Sequence, residues 1–210
     1  MQDSLCVRGN VVETGTREEK TVRILLLVLG IGLLQADTGE QFYRFPRGTT
    51  WTYRQAGATC AWNFVMTVVD DTQGRIVVES KEYRGENLAP QVKTMAWVVE
   101  DGCLLWGEFK DGKVGSSLRV YKLGSKQGDT WKSPVGGGKD ELEAVHRGTD
   151  EVKVPAGTYR DTVQVALFMG PNQQKPLMRV DLAPKVGLVR FGRTDREQGL
   201  VELIEFKPGK

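Results

Sequence analysis

The chain has 210 residues, which is enough for one domain with a substantial core and short for two. Its 40% hydrophobic and 27% charged residues are typical of a globular protein and exclude wholesale disorder. Lys and Arg total 29 against 27 Asp and Glu, with both signs interspersed along the chain, so we predict no nucleic-acid partner.

Residues 24–34 form an unbroken apolar run, with Arg17, Lys20 and Arg23 before it and Ala36 after it. A cationic end, an apolar centre and a small residue at the cleavage position are typical of a secretory signal peptide. Eleven residues at about 1.5 Å each are too short for a hydrocarbon core of about 30 Å. We therefore predict cleavage near Ala36, a periplasmic or secreted mature protein, and no permanent membrane span. The alternative is a buried strand or a short core helix.

Residues 1–20, which precede the apolar run, are polar and in places acidic, and they differ from the cationic start of a signal peptide. We expect translation to begin at Val22 from a GTG codon, which makes residues 1–21 non-native. The chain then divides into residues 1–36, the non-native extension plus signal peptide, and residues 37–210, a single all-β domain.

Removal of residues 1–36 leaves Cys60 and Cys103 as the only thiols. In an oxidising compartment such a pair is a disulfide candidate, and closing the loop would stabilise the domain by about 4 kcal/mol. The alternative is two separately buried cysteines, because Cys is often buried without bonding.

From Trp51 onward, apolar residues recur with the period of β-strands. Residues 59–69 predict a strand with one core-facing side, followed by a turn at 70–74 and a partner strand at 75–83. The core-facing residues of the first strand are Cys60, Trp62, Phe64, Met66 and Val68.

Two Asp-Gly pairs predict tight hairpin turns, because this dipeptide favours the positive φ angles that such turns need. Asp101-Gly102 separates strands at 92–100 and 103–110, and Asp111-Gly112 leads to a strand at 117–123. Gly and polar residues at 124–139 predict a long loop.

Further strands are predicted at residues 141–146, 151–154, 158–169, 177–182, 187–192 and 200–206. About a dozen short strands at this spacing predict an all-β fold, a single-domain antiparallel curved sheet that is barrel-like or a sandwich.

Two turn motifs lie in the C-terminal half, VPAGTY at residues 154–159 and APKVGLVR at residues 183–190. With the step from Leu123 and Gly124 to Trp131, they resemble the TapB-like group of bacterial exported β-proteins. The resemblance covers roughly the last hundred residues, and Leu182 stands where the group commonly has an aromatic residue. It implies export and a β fold, and it implies no activity because the group has no assigned function.

The residue types that carry catalysis or bind metals are sparse. His146 is the only His, and a lone His without Cys or His partners favours a structural role over zinc or acid-base chemistry. The acidic clusters at Asp70-Asp71 and at residues 140–143 are interpreted as turn and surface charge. We expect no cofactor, no bound metal and no enzymatic activity.

The five tryptophans are the candidates for a ligand-binding cleft: Trp51, Trp62, Trp97, Trp106 and Trp131. Aromatic residues of an all-β domain mostly pack in the core, but a curved sheet can enclose an aromatic-lined cleft. We hypothesise a non-catalytic binding or structural module of the cell envelope or extracellular space, whose partner is a small apolar ligand or an envelope protein. The alternatives are a carrier of a lipid-like ligand, and a carbohydrate-active or other hydrolase, which needs two carboxylates about 5 to 10 Å apart.

Overall fold

The computed structural model describes residues 39–56, 62–72, 74–84, 89–135, 140–170, 174–195 and 199–210. These residues form one short 3₁₀ helix, Glu40–Phe42, and twelve β-strands. The strands are β1 (Thr50–Gln55), β2 (Trp62–Thr72), β3 (Arg75–Arg84), β4 (Gln91–Glu100), β5 (Cys103–Lys110), β6 (Lys113–Lys122), β7 (Thr130–Val135), β8 (Asp140–Val154), β9 (Gly157–Phe168), β10 (Met178–Ala183), β11 (Gly187–Arg193) and β12 (Leu200–Lys207).

All twelve strands belong to one antiparallel sheet, in the order β6-β5-β4-β3-β2-β1-β12-β11-β10-β9-β8-β7. Strands that follow each other in the chain are neighbours, and β1 pairs with β12 from Thr50 opposite Lys207 to Gln55 opposite Val201. The sheet therefore curls into a nearly closed barrel whose two edges are β6 and β7. The predicted all-β antiparallel fold is confirmed.

The seam between β6 and β7 is joined by side chains. The Arg119 backbone N–H donates to Ser133 Oγ at 2.9 Å, and the Trp131 indole N–H donates to the Arg119 carbonyl at 2.9 Å. Both side chains are buried, so β7 turns its alternate residues into the barrel. The prediction of a long loop over residues 124–139 is wrong for residues 130–135, which form β7. The only sequence signal for this strand is a short alternation around Trp131, and it is flanked by loop-forming residues.

The single strand β8 covers residues 141–146 and 151–154, which the sequence predicts as two separate strands. Its pairing with β9 shifts register between His146 and Gly148 and again between Asp150 and Val152. Gly148 has a φ of 111°, which suits a bulge. The predicted break is wrong because the turn-forming residues bend the strand without ending it.

The barrel is filled by side chains. On β2, Phe64, Met66 and Val68 are buried, as the alternation predicts, and the residues between them are half-buried. One contiguous core cluster joins residues from all twelve strands, which is why the sheet needs no second layer to bury its apolar face.

Residues 39–49 cover one end of the barrel, here named the capped end. The Phe42 ring meets the Tyr121 ring edge-on at 5.4 Å, and the Lys185 N–H donates to the Gln41 carbonyl at 2.7 Å. Gly187 has a φ of 78°, and a Cβ there would lie 2.9 Å from the Phe45 ring. The APKVG turn therefore needs this glycine to seat the N-terminal segment.

The hairpin between β8 and β9 also lies at the capped end. Its tip carries the VPAGTY motif, and the Ala156 N–H donates to the Leu203 carbonyl at 3.0 Å. Leu203 belongs to β12, which lies four positions from β8 and three from β9 in the sheet, so the hairpin bends over the barrel end. The opposite end, which holds the connection from β3 to β4, is named the far end.

We expect the protein to lose stability at alkaline pH, because the side chains of Tyr53 and Cys103 are buried. Burial raises the pKa of Tyr53 well above 10.0 and raises the pKa of Cys103 from 9.0. The unfolded chain gives up these protons first, so their contribution to stability is fully present below about pH 8.5 and declines at higher pH, by at most about 1.4 kcal/mol per pH unit for each group. Urea unfolding at a series of pH values measures this decline.

Tyr53→Phe is expected to make the decline above pH 10 shallower. The variant also costs stability at neutral pH, by about 1 kcal/mol, because the Tyr53 hydroxyl donates to the Leu188 carbonyl at 2.7 Å. An unchanged alkaline slope in this variant would show that Tyr53 does not control the decline.

Candidate functional site

The predicted cleft tryptophans occupy different environments. Trp51 is buried, donates its indole N–H to the Val186 carbonyl at 2.7 Å and meets Phe45 edge-on at 4.9 Å. Trp97 and Trp131 are also buried in the core. Trp106 is partly buried and lines a cavity, and the side chain of Trp62 lies outside the described residues.

The predicted disulfide falls partly outside the described residues. Cys103 is a buried free cysteine, and burial raises the pKa of its thiol. Its proposed partner Cys60 is not among the described residues, so the disulfide stays a prediction.

The far-end cavity is a candidate ligand site with a volume of about 200 Å³. Its lining residues come from β2, β3, β4, β5 and β11: Phe64, Ser80, Glu82, Lys93, Met95, Trp106 and Phe191. Register explains the grouping, since Phe64 lies opposite Glu82, and Ser80 lies opposite Lys93. The cavity is thus formed by the far-end portions of the neighbouring strands β2 to β5, together with Phe191 of β11, which is separated from β2 in the sheet by β1 and β12.

Aromatic rings form one wall of the far-end cavity. Trp106 stacks on Trp97 with ring centroids 5.7 Å apart and meets Phe191 edge-on at 5.1 Å. Phe64 meets Phe191 edge-on at 5.6 Å and stacks on Tyr53 at 4.8 Å. Because these rings hold one another in place, the wall is a preformed apolar surface.

Besides the Ser80 hydroxyl, the far-end cavity has three polar groups, on Trp106, Glu82 and Lys93. The Trp106 indole nitrogen is buried and has no hydrogen-bond partner among the described residues. Glu82 is paired with Arg84, whose Nε lies 2.6 Å from Oε1, whereas Lys93 forms no ion pair within the described part of the chain. The cavity therefore offers one unused N–H donor and one uncompensated positive charge.

A second cavity, the capped-end cavity, has a volume of about 460 Å³. Its lining residues are Gln41, Phe42, Tyr121, Ser125, His146, Thr149, Asp161, Val163 and Pro184. They come from the N-terminal segment, β6 and the residues after it, β8, β9 and the turn after β10. This cavity contains the single histidine of the chain.

His146 is 5% exposed, and its Nδ1 lies 3.1 Å from Ser125 Oγ. A Ser–His contact is also found in hydrolases, where an acid orients the other ring nitrogen. Here His146 Nε2 has no partner among the described residues. The sequence gives no sign of this pair, because Ser125 lies in the segment predicted as a loop and is 21 positions away.

Carboxylates are sparse among the lining residues of both cavities. Glycoside hydrolysis uses two carboxylates, and the far-end and capped-end cavities each contain a single one among their described residues, Glu82 and Asp161. Within the described ranges, no group of three or more His, Cys, Asp or Glu side chains is placed to hold a metal ion. None of the described helices has the length and hydropathy to cross a membrane.

Comparison with known proteins does not identify a family. No protein-family model matches the sequence, and no curated protein matches it. Among solved structures, the chain is similar to a hypothetical protein from Chlamydia trachomatis, with 12% identity, 83% of this chain and 94% of the other covered, and a TM-score of 0.32. That likeness is too weak to support any inference, so the TapB-like resemblance and the export signal stay predictions.

Proposed function

We propose that the chain is a non-catalytic binding module whose far-end cavity holds the apolar part of a small amphipathic anion. The observation that carries this proposal is the Trp106 indole N–H, which is buried beside an aromatic cavity and has no acceptor among the described residues. An unsatisfied buried donor destabilises a fold by about 1–3 kcal/mol. A ligand oxygen that accepts from this N–H removes that destabilisation when it binds.

The size of the far-end cavity limits the apolar part of the ligand. A cavity of about 150 Å³ holds benzene, and the far-end cavity has about 200 Å³. One aromatic ring or a short acyl chain matches this volume. The proposal therefore narrows the lipid-carrier alternative to short-chain or single-ring ligands.

The charge at the cavity favours an anion. Arg84 already compensates Glu82, while Lys93 has no carboxylate partner among the described residues. A carboxylate on the ligand would accept from Trp106 and lie near the Lys93 ammonium group. Charge-assisted hydrogen bonds of this kind are stronger than neutral ones.

Calorimetric titration with octanoate and with phenylacetate tests the proposal. We expect saturable one-to-one binding, with affinity reduced about tenfold in Trp106→Phe, because this variant keeps an aromatic ring and removes the N–H. Lys93→Met is expected to weaken binding several-fold and to reduce its salt dependence.

Lys113→Met is the matched control, since Lys113 is exposed on β6 and does not line the cavity. Equal affinity of wild type and Trp106→Phe for both anions, or no binding of either anion, would contradict the proposal. Octanol lacks the carboxylate, so we expect wild type to bind it more weakly than octanoate. We expect Lys93→Met and wild type to bind octanol about equally.

A further inference from the structure

The capped-end cavity is independent of the far-end cavity, because the two share no described lining residue. It has about twice the volume, at about 460 Å³ against about 200 Å³. It is also more polar in composition, with an amide, three hydroxyls, a carboxylate and an imidazole among its lining side chains. Any function of this cavity goes beyond the amphipathic-anion site.

His146 is the group that indicates a ligand here. It is 5% exposed, its Nδ1 is engaged by Ser125 Oγ at 3.1 Å, and its ring meets Tyr121 edge-on at 6.0 Å. Its Nε2 is buried, and no described residue offers it a hydrogen bond. In either neutral tautomer this nitrogen is an unused donor or acceptor on a residue that lines the cavity.

The chemistry of the walls narrows the class of ligand. No Lys or Arg is among the described lining residues, so nothing in the cavity compensates an anion. The polar side chains Thr149, Asp161 and Ser125 offer both donors and acceptors, which hydroxyl groups match because each hydroxyl can donate and accept.

Aromatic rings supply the remaining wall. Phe42 and Tyr121 meet edge-on at 5.4 Å and both line the cavity. Aromatic surface beside hydroxyl, amide and carboxylate groups suits a molecule that has C–H faces and a rim of hydroxyls. From this geometry we infer a second ligand site that takes a neutral polyhydroxylated molecule of the size of a monosaccharide or a cyclic polyol.

The single histidine makes the test specific. Long-range ¹H–¹⁵N correlation spectra contain the imidazole signals of His146 alone, since the chain has one His. In titrations with D-glucose and with myo-inositol, we expect at least one of them to shift the Nε2 resonance saturably. His146→Phe is expected to lower the affinity for that ligand about tenfold, measured by saturation-transfer NMR.

Exposed residues provide variants that should keep the fold. Thr149 and Asp161 are both exposed and line the cavity, so Thr149→Val and Asp161→Asn are each expected to weaken binding several-fold. Thr94→Val is the matched control, because Thr94 is exposed on β4 and does not line the cavity. Octanoate titration of every variant reports separately on the far-end cavity.

Three results would overturn the inference. The first is an Nε2 resonance that neither polyol shifts. The second is polyol binding that Thr149→Val and Asp161→Asn leave at wild-type strength. The third is a shift produced by butylammonium and by neither polyol, which would assign the cavity to a cation held by Asp161.

Discussion

Asp181→Ala is expected to lower the free energy of unfolding by about 3–5 kcal/mol, since removal of one member of a buried ion pair leaves the other uncompensated. Asp181 is 0% exposed, and its two carboxylate oxygens accept from Arg179 Nε at 2.8 Å and from Arg190 Nε at 2.7 Å. The Arg190 side chain is only 18% exposed. Without the Asp181 carboxylate, its one remaining ion-pair partner among the described residues is Glu202, at 3.9 Å.

Urea unfolding followed by circular dichroism measures this loss. Asp181→Asn keeps one acceptor oxygen and is expected to fall between wild type and Asp181→Ala. Glu151→Ala is the control, since its pair with Arg160 is exposed on both sides, and it is expected to cost less than about 1 kcal/mol. Equal losses for Asp181→Ala and Glu151→Ala would show that the buried pair has no special role.

Trp131→Ala is expected to destabilise the barrel by about 3–5 kcal/mol, the range for truncating a buried aromatic residue. Trp131 is 8% exposed, and its indole N–H holds the Arg119 carbonyl across the seam at 2.9 Å. The variant therefore leaves a cavity and an unpaired carbonyl at the place where β6 and β7 close the barrel.

Ser133→Ala separates closure of the seam from core packing. Ser133 is 0% exposed and accepts from the Arg119 N–H, so its loss is expected to cost about 1–3 kcal/mol. Hydrogen exchange of the Arg119 amide should accelerate in this variant, while Lys132→Ala, on the exposed side of β7, should leave it unchanged. An Arg119 amide that stays protected in Ser133→Ala would contradict the side-chain closure of the seam.

Much of the fold can be predicted from the sequence, because turn motifs and the alternation of apolar residues depend only on residues that are close together in the chain. The turns at Asp101-Gly102 and Asp111-Gly112 have positive φ at all four positions, from 50° to 76°, as Asp-Gly turns require. The alternation on β2 correctly places Phe64 and Met66 in the core. The strand β7 escapes prediction because its pairing with β8 and its side-chain bonds to Arg119 are tertiary contacts.

The candidate sites are less predictable than the fold for the same reason. The sequence identifies Trp106 as a possible cleft residue, but the approach of Phe191, on β11, depends on barrel closure. Lys93 joins the site through the register of β3 with β4, which no local pattern specifies. His146 is predicted as structural, and its contact with Ser125 depends on how residues 123–129 cross the capped end.

The most direct test of the amphipathic-anion site is the indole N–H resonance of Trp106, assigned by its absence in Trp106→Phe and followed by NMR during titration with octanoate. The proposal predicts a saturable downfield shift of this resonance, because the buried N–H gains a carboxylate acceptor. The indole N–H resonances of Trp51 and Trp131 are expected to change less, because these groups already donate to backbone carbonyls. A Trp106 resonance that stays in place at saturating octanoate would contradict it.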